Sequence, residues 1–115
     1  AFADRQLLES AWNSLLIATF ATLLATIIGT LTAYALWKKP SRWLSTALSV
    51  SLVTPEIVTG VSLLALFQIV FRVLRLPLGM HTVVLAHVSF CLVFVVIVVL
   101  ARLRTLDASL EEAAL

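Results

Sequence analysis

Charged residues are scarce in this 115-residue chain, because Lys, Arg, Asp and Glu together make up only 12% of it. A soluble domain carries about 25% charged and about 45–50% apolar residues, whereas the hydrophobic share here is 62%. This balance excludes a soluble globular protein of ordinary composition. The net charge of +2 is small and lies beside the apolar runs, so it indicates membrane sidedness and gives no sign of nucleic-acid binding.

Cysteine, glycine and lysine are also rare, and each shortage excludes a class of chemistry. Cys91 is the only cysteine, which leaves no intrachain disulfide. The three glycines form no phosphate-binding loop and the only lysines are Lys38 and Lys39, so nothing here supports ATP hydrolysis by this chain. His87 and Cys91 alone make a poor metal site, and we expect His87 to be a buried hydrogen-bonding group between helices. We therefore expect a non-catalytic chain without metal or cofactor.

Three long stretches, 10–37, 43–71 and 76–101, contain almost no formal charge. Each reaches the roughly 20 residues that an α-helix needs to cross about 30 Å of hydrocarbon. Lipid offers the backbone no hydrogen-bond partners, so only helices or a closed barrel fit, and the apolar run 93–100 lacks the alternation of barrel strands. The sequence therefore predicts an all-α fold, a polytopic transmembrane helical bundle with spans at about 12–37, 43–71 and 77–101.

Basic residues indicate how these spans are oriented. The 38–42 loop and the segment after the third span carry five of them, namely Lys38, Lys39, Arg42, Arg102 and Arg104. The N-terminal segment and the loop between the second and third spans carry three, namely Arg5, Arg72 and Arg75. The positive-inside bias places the 38–42 loop and the C-terminus in the cytoplasm and the N-terminus outside. Because no signal peptide precedes the first span and the chain starts with Ala1, we expect a fragment whose upstream span is missing.

Small residues form a stripe along the first span. Four of them recur every four positions, at Ala21, Ala25, Gly29 and Ala33, with a strip of threonines beside them. Such a stripe lets another helix approach closely, which is how helices associate where hydrophobicity supplies no drive between them. We expect a packing face within a bundle, and the alternative is a single anchor with incidental small residues.

Glu56 is the only carboxylate within the second span, and two interpretations of it remain open. In the structural one, Thr54 is an N-cap, Pro55 the first helical residue and Glu56 an acid favoured by the helix dipole, so that 42–53 and 55–71 are separate segments. In the functional one, Glu56 marks a solute route and attracts cations. The two interpretations are compatible.

The segment after the third span is charged, unlike the span itself, and its composition favours helix. Ser109 followed by Glu112 fits a capping box, which predicts that a new short helix begins there. The sequence Glu112-Ala113-Ala114, one turn or so beyond Arg102-Leu103-Arg104, resembles the start of the EAA loop in inner-membrane permeases of binding-protein-dependent ABC importers.

Other short sequence motifs narrow the resemblance to spermidine/putrescine-type permease subunits, and they occur in the family's order over nearly the whole chain. They are Asn13-Ser14-Leu15, Gly29-Thr30-Leu31-Thr32-Ala33, Thr54-Pro55-Glu56-Ile57-Val58, Ser62-Leu63-Leu64 and His87-Val88-Ser89-Phe90-Cys91-Leu92. The chain departs from the family in stopping before the glycine expected after the EAA, and in carrying Val93 where many relatives carry proline. The missing proline implies a straighter third span.

The resemblance implies part of an ABC transmembrane type-1 domain in a bacterial inner membrane, with segment 105–115 starting a cytoplasmic coupling helix. Implied partners are cytoplasmic ATPase subunits, a second permease subunit that meets the small-residue stripe, a periplasmic substrate-binding protein and the lipid bilayer, with no nucleic acid. Glu111, Glu112, Ala113 and Ala114 would dock on the ATPase.

The resemblance implies polyamines as the cargo. A polyamine would suit Glu56, because a cation gains from a carboxylate and from aromatic faces such as that of Phe67, if both line one cavity. Two alternatives stay open. One is a small structural or assembly protein of the bilayer, and the other is a permease for another cargo, such as an aminophosphonate or a metal ion.

Overall fold

The computed structural model describes residues 2–114, which form four α-helices and no strand: α1 (Phe2–Lys38), α2 (Arg42–Val53), α3 (Glu56–Val73) and α4 (Met80–Ala114). Three stretches of these helices are long and apolar enough to cross a membrane, namely Ala3–Lys38, Glu56–Val73 and Met80–Ala114. The predicted all-α, polytopic transmembrane fold class is confirmed. Leu115, the last residue of the predicted coupling segment, lies outside the described residues.

The core of the molecule is the contact between α1 and α4. Two clusters of buried residues join these helices, Ala21, Ala25 and Val88 in one and Ala33, Leu36, Val96 and Leu100 in the other. Residue numbers rise together along both helices, so α1 and α4 run parallel. The α2–α3 segment must therefore carry the chain back to the end where α1 began.

The small-residue stripe of α1 lies on this interface. Ala21, Ala25 and Ala33 are 3%, 1% and 0% exposed. Gly29 is also buried, and a Cβ atom placed on it would lie 2.5 Å from Cγ1 and 2.8 Å from Cβ of Val95. The stripe thus packs within the chain, which differs from the expected contact with a second subunit. The physical reason is that α4 is long enough to cover the whole stripe and presents valines that fill it.

The α2 and α3 helices attach to this pair only lightly. Leu48 of α2 packs against the cluster around Leu36 and Leu100. At the far end of α3, the rings of Phe71 and His81 lie 5.5 Å apart, so α3 runs antiparallel to α4. Within α2 and α3, both fully described, no residue is buried. The molecule therefore has one tightly packed helix pair and one loosely attached return segment.

Both long helices extend beyond the membrane. With 37 and 35 residues, α1 and α4 are about 55 and 52 Å long, whereas the hydrocarbon core is about 30 Å thick. Leu36 and Leu100 share one cluster, so the basic residues just beyond them lie at one end of the molecule. The start of α1 projects from the other end, with Leu8 and Trp12 exposed.

The prediction that a new helix begins at Ser109 is wrong. The α4 helix continues without a break to Ala114, and the Ser109 hydroxyl donates to the Leu106 carbonyl at 2.9 Å, inside the same helix. The segment 102–114 contains neither glycine nor proline and is rich in Leu, Ala, Glu and Arg, which favour helix. Nothing ends the preceding helix, and a capping box cannot form in the middle of one.

Candidate functional site

The α2–α3 segment breaks at Thr54-Pro55, so that the predicted span 43–71 consists of two helices. Thr54 is extended, with ψ 128°, as is Pro55, with ψ 134°. Proline has no N–H group and disfavours the helical conformation of the residue before it, which explains the break.

The structural interpretation of Glu56 is confirmed in its main point, because Glu56 lies in the first turn of α3. Its capping details are wrong. Thr54 ends α2, since its N–H and its hydroxyl both donate to the Val50 carbonyl, at 3.0 and 2.8 Å. Pro55 is the residue that precedes the helix, and no side chain caps α3. Threonine closes the earlier helix because the Val50 carbonyl is within reach of both of its donors.

Glu56 faces the middle of α4 across two cavities. The smaller, of about 60 Å³, lies between the break and the region of Ser89 and Val93. The larger, of about 260 Å³, is lined by Glu56, Thr59, Gly60, Leu63, Ala86, His87 and Phe90. Phe90 is ten residues after Met80, about 15 Å along the helix axis, which is half of an apolar layer of about 30 Å. The break therefore lies opposite the middle of the apolar part of α4.

The hydroxyl groups around these cavities expose acceptors. Because a carbonyl oxygen only accepts, each hydroxyl that bonds one uses its hydrogen there and keeps its lone pairs for the cavity. Every hydroxyl that lines the two cavities donates in this way to the carbonyl of the residue four positions earlier. The pairs are Ser51 to Ala47 at 2.8 Å, Thr54 to Val50 at 2.8 Å, Thr59 to Pro55 at 3.3 Å and Ser89 to Leu85 at 2.9 Å.

The charges at the break also favour a cation. Glu56, the one carboxylate that lines the two cavities, lies in the first turn of α3, where the helix dipole favours an acidic side chain. The negative end of the α2 dipole points into the break. In a continuous helix the Ser51 carbonyl would accept a hydrogen bond from the N–H of residue 55, but residue 55 is proline, which has no N–H. Neither cavity is lined by Lys or Arg. The arrangement can therefore hold a positively charged group that carries hydrogen-bond donors.

Phe90 lines both cavities together with Glu56, and Phe94 lines the smaller one; neither was among the predicted site residues. Phe67 lies eleven residues further along α3, about 16 Å away by helix rise, and it lines another cavity together with Leu78 and Thr82. The structure thus does not bring Phe67 and Glu56 together. A helical wheel of the third span could have found Phe90, because it lies three residues after His87 on the same face.

His87 is placed differently from the expectation. It is exposed, and its Nδ1 atom lies 2.8 Å from the Val83 carbonyl oxygen of its own helix. The interface with α1 is formed instead by Val88 and its neighbours, which lie on another face of α4. Within residues 2–114, no three His, Cys, Asp or Glu residues come close enough to hold a metal ion.

The four predicted docking residues form a second location, far from the break. Glu111, Glu112, Ala113 and Ala114 are all exposed and end α4. Glu112 is 22 residues beyond Phe90, or about 33 Å along the helix. The α4 helix therefore lines the cavity beside Glu56 and also carries the predicted docking residues, but these are two separate sites.

Comparisons with known proteins identify relatives over almost the whole chain. It is 40% identical over 116 residues to the spermidine/putrescine transport system permease protein PotC of Haemophilus influenzae, covering 98% of this chain and 44% of that protein. It is 40% identical over 111 residues to PotC of Escherichia coli, covering 94% and 40% of the two chains. It is 38% identical over 118 residues to the E. coli putrescine transport system permease protein PotI, covering 97% and 42%.

A scan against protein-family models finds no match. The chain spans about two fifths of the length of the curated relatives it matches. Over that part, the identity agrees with the resemblance predicted from the sequence. This multi-pass membrane chain therefore belongs to the spermidine/putrescine-type permease family.

Proposed function

We propose that this chain is part of a permease subunit in an ATP-driven importer, and that it lines the route of a small cationic amine across the bacterial inner membrane. One observation carries the proposal: Glu56 lies at a helix break opposite the middle of the apolar part of α4, beside hydroxyl groups that offer only acceptors. Discontinuous helices form ion and substrate sites in many transporters. The relatives' names favour spermidine or putrescine as the cargo.

The coupling to ATP hydrolysis is assigned to the far end of α4. The exposed last turn carries the acidic and small residues of the EAA-like sequence and projects beyond the membrane, where a soluble ATPase subunit could bind it. A separate ATPase chain fits the proposal, because the present sequence contains no phosphate-binding loop.

The orientation follows from charge and from the parallel packing of α1 and α4. The end that holds Lys38 and Arg102 carries more basic residues than the end that holds Arg72 and Arg75, which supports a cytoplasmic location for the former and an external N-terminus. In this arrangement the coupling end faces the cytoplasmic ATPase. A periplasmic binding protein would deliver the amine from the other side, and a second permease subunit would complete the route.

The proposal is tested by replacing Glu56 with glutamine in the full-length permease of the complete transporter. Because a hydrogen bond to a charged group contributes about 1.5–3 kcal/mol, we expect Glu56→Gln to lower the initial rate of radiolabelled spermidine uptake at least tenfold per transporter. Glu9→Gln is the matched control, since Glu9 is an exposed glutamate in the projecting part of α1. An uptake rate for Glu56→Gln equal to that of Glu9→Gln would remove Glu56 from the route.

A further inference from the structure

His87 carries a free acceptor atom whose position is determined by its hydrogen bond. Its Nδ1 atom lies 2.8 Å from the Val83 carbonyl oxygen. A carbonyl only accepts, so Nδ1 must carry the proton, and in the neutral ring Nε2 then keeps its lone pair. The exposed imidazole therefore presents Nε2 as an acceptor on the side away from its own helix backbone.

His87 lines the same cavity as Glu56. The cavity of about 260 Å³ lies between α3 and α4, with Glu56 and Thr59 on one wall and His87 and Phe90 on the other. Gly60 on the α3 wall borders open space, because a Cβ atom placed there would meet no atom within 4 Å. Gly60 therefore does not serve close packing inside this chain, whereas Gly29 does.

The chemistry of the lining selects one kind of ligand. Glu56 supplies a charged acceptor, and Thr59, whose hydroxyl donates to Pro55, supplies lone pairs. The Nε2 atom of His87 supplies a third acceptor, and the Phe90 ring offers a face to a cation. A primary ammonium group has three N–H donors and one positive charge, and the methylene groups attached to it would lie along Leu63 and Ala86.

We infer that His87 is a ligand for the transported amine, binding through Nε2 the primary ammonium group that Glu56 attracts by charge. This inference rests on the proposed passage of an aliphatic amine past Glu56. It assigns His87 a role in cargo passage, in place of a role in holding helices together. Its position on α4, opposite the break, makes the site a contact between the tightly packed helix pair and the loosely attached α3.

The test compares two replacements of equal length in the full-length permease of the complete transporter. Glutamine retains an acceptor oxygen near the position of Nε2, and methionine has a similar shape without one. We expect His87→Met to lower the initial rate of spermidine uptake about tenfold, and His87→Gln to stay within a few-fold of the wild type. His81→Met is the control, because His81 lies at the outer end of α4 against Phe71 and should transport normally.

Uptake is expressed per assembled transporter, quantified by immunoblot, so that a loss of protein is not counted as a loss of transport. Equal uptake by His87→Met and His87→Gln would overturn the inference, because a packing role depends on shape and does not require an acceptor. If Glu56→Gln still lowers uptake at least tenfold in that case, the proposed function stands without His87. If Glu56→Gln also transports normally, the role of Glu56 in the route fails as well.

Discussion

Gly29 and Gly60 differ in the space that surrounds them. A methyl group on Gly29 would lie 2.8 Å from the Val95 Cβ atom, which no side-chain rotation can move, because Cβ is fixed to the backbone. A methyl group on Gly60 would enter open space. Gly29 therefore sets the separation of α1 and α4, while no contact within the described residues requires glycine at position 60.

This difference predicts opposite results for the same substitution. Gly29→Ala should lower the stability of the full-length permease by about 1–3 kcal/mol, because the two helix backbones must separate. Gly60→Ala should be neutral or stabilising by up to about 1 kcal/mol, since alanine favours helix over glycine. The midpoint of thermal unfolding in detergent measures both variants. Equal midpoints for the two variants would contradict the close approach at Gly29.

At the scale of elements, Ser41 and Ser109 occupy different positions in their helices, which the sequence alone did not reveal. Ser41 precedes α2, and its side-chain oxygen accepts the Leu44 N–H at 3.4 Å. Ser109 lies inside α4, and its hydroxyl donates to a carbonyl. Only Ser41 is therefore an N-cap, although both serines precede helix-forming sequence.

The two serines give a paired prediction for local stability. Ser41→Ala should destabilise the first turn of α2 by about 1 kcal/mol, which corresponds to about fivefold faster amide hydrogen exchange there. Ser109→Ala should leave exchange in 106–114 unchanged or slower, because alanine is the better helix former. Hydrogen exchange followed by mass spectrometry measures both segments. Faster exchange after Ser109→Ala would restore the capping box.

Much of the fold is predictable from the sequence, because lipid imposes few choices on an apolar chain. Run lengths give the three crossings, and the four-residue spacing of Ala21, Ala25, Gly29 and Ala33 identifies a close-packing face. The spacing does not say which helix covers that face, since any helix with suitable side chains satisfies it. The pairing of Glu56 with His87 and Phe90 was missed for a similar reason, because it depends on where the break at Pro55 places α3 along α4.

For the whole molecule, the parallel arrangement of α1 and α4 makes a prediction about topology. Their ends at Lys38 and Arg102 must lie on one side of the membrane, and the loop between α3 and α4 on the other. In a Cys91→Ser background, a membrane-impermeant maleimide should label Leu76→Cys from outside the cell. It should label Lys39→Cys and Ser109→Cys only after permeabilisation.

The labelling result separates two possible errors. If Lys39→Cys and Leu76→Cys react from the same side, then the α2–α3 segment does not cross the bilayer and the three-crossing arrangement is wrong. If all three positions react from the sides opposite to those expected, the number of crossings is right and the orientation inferred from basic residues is inverted.

The unbroken course of α4 has a mechanical consequence. Without glycine or proline between Met80 and Ala114, the helix has no hinge at which to absorb a push, so it acts as a lever of about 52 Å. A sideways thrust on its C-terminal end would tilt the helix as a whole, and α1, which packs against it at Gly29, would tilt with it. The loosely tethered α3 need not follow, so each stroke would change the width of the gap between Glu56 and His87.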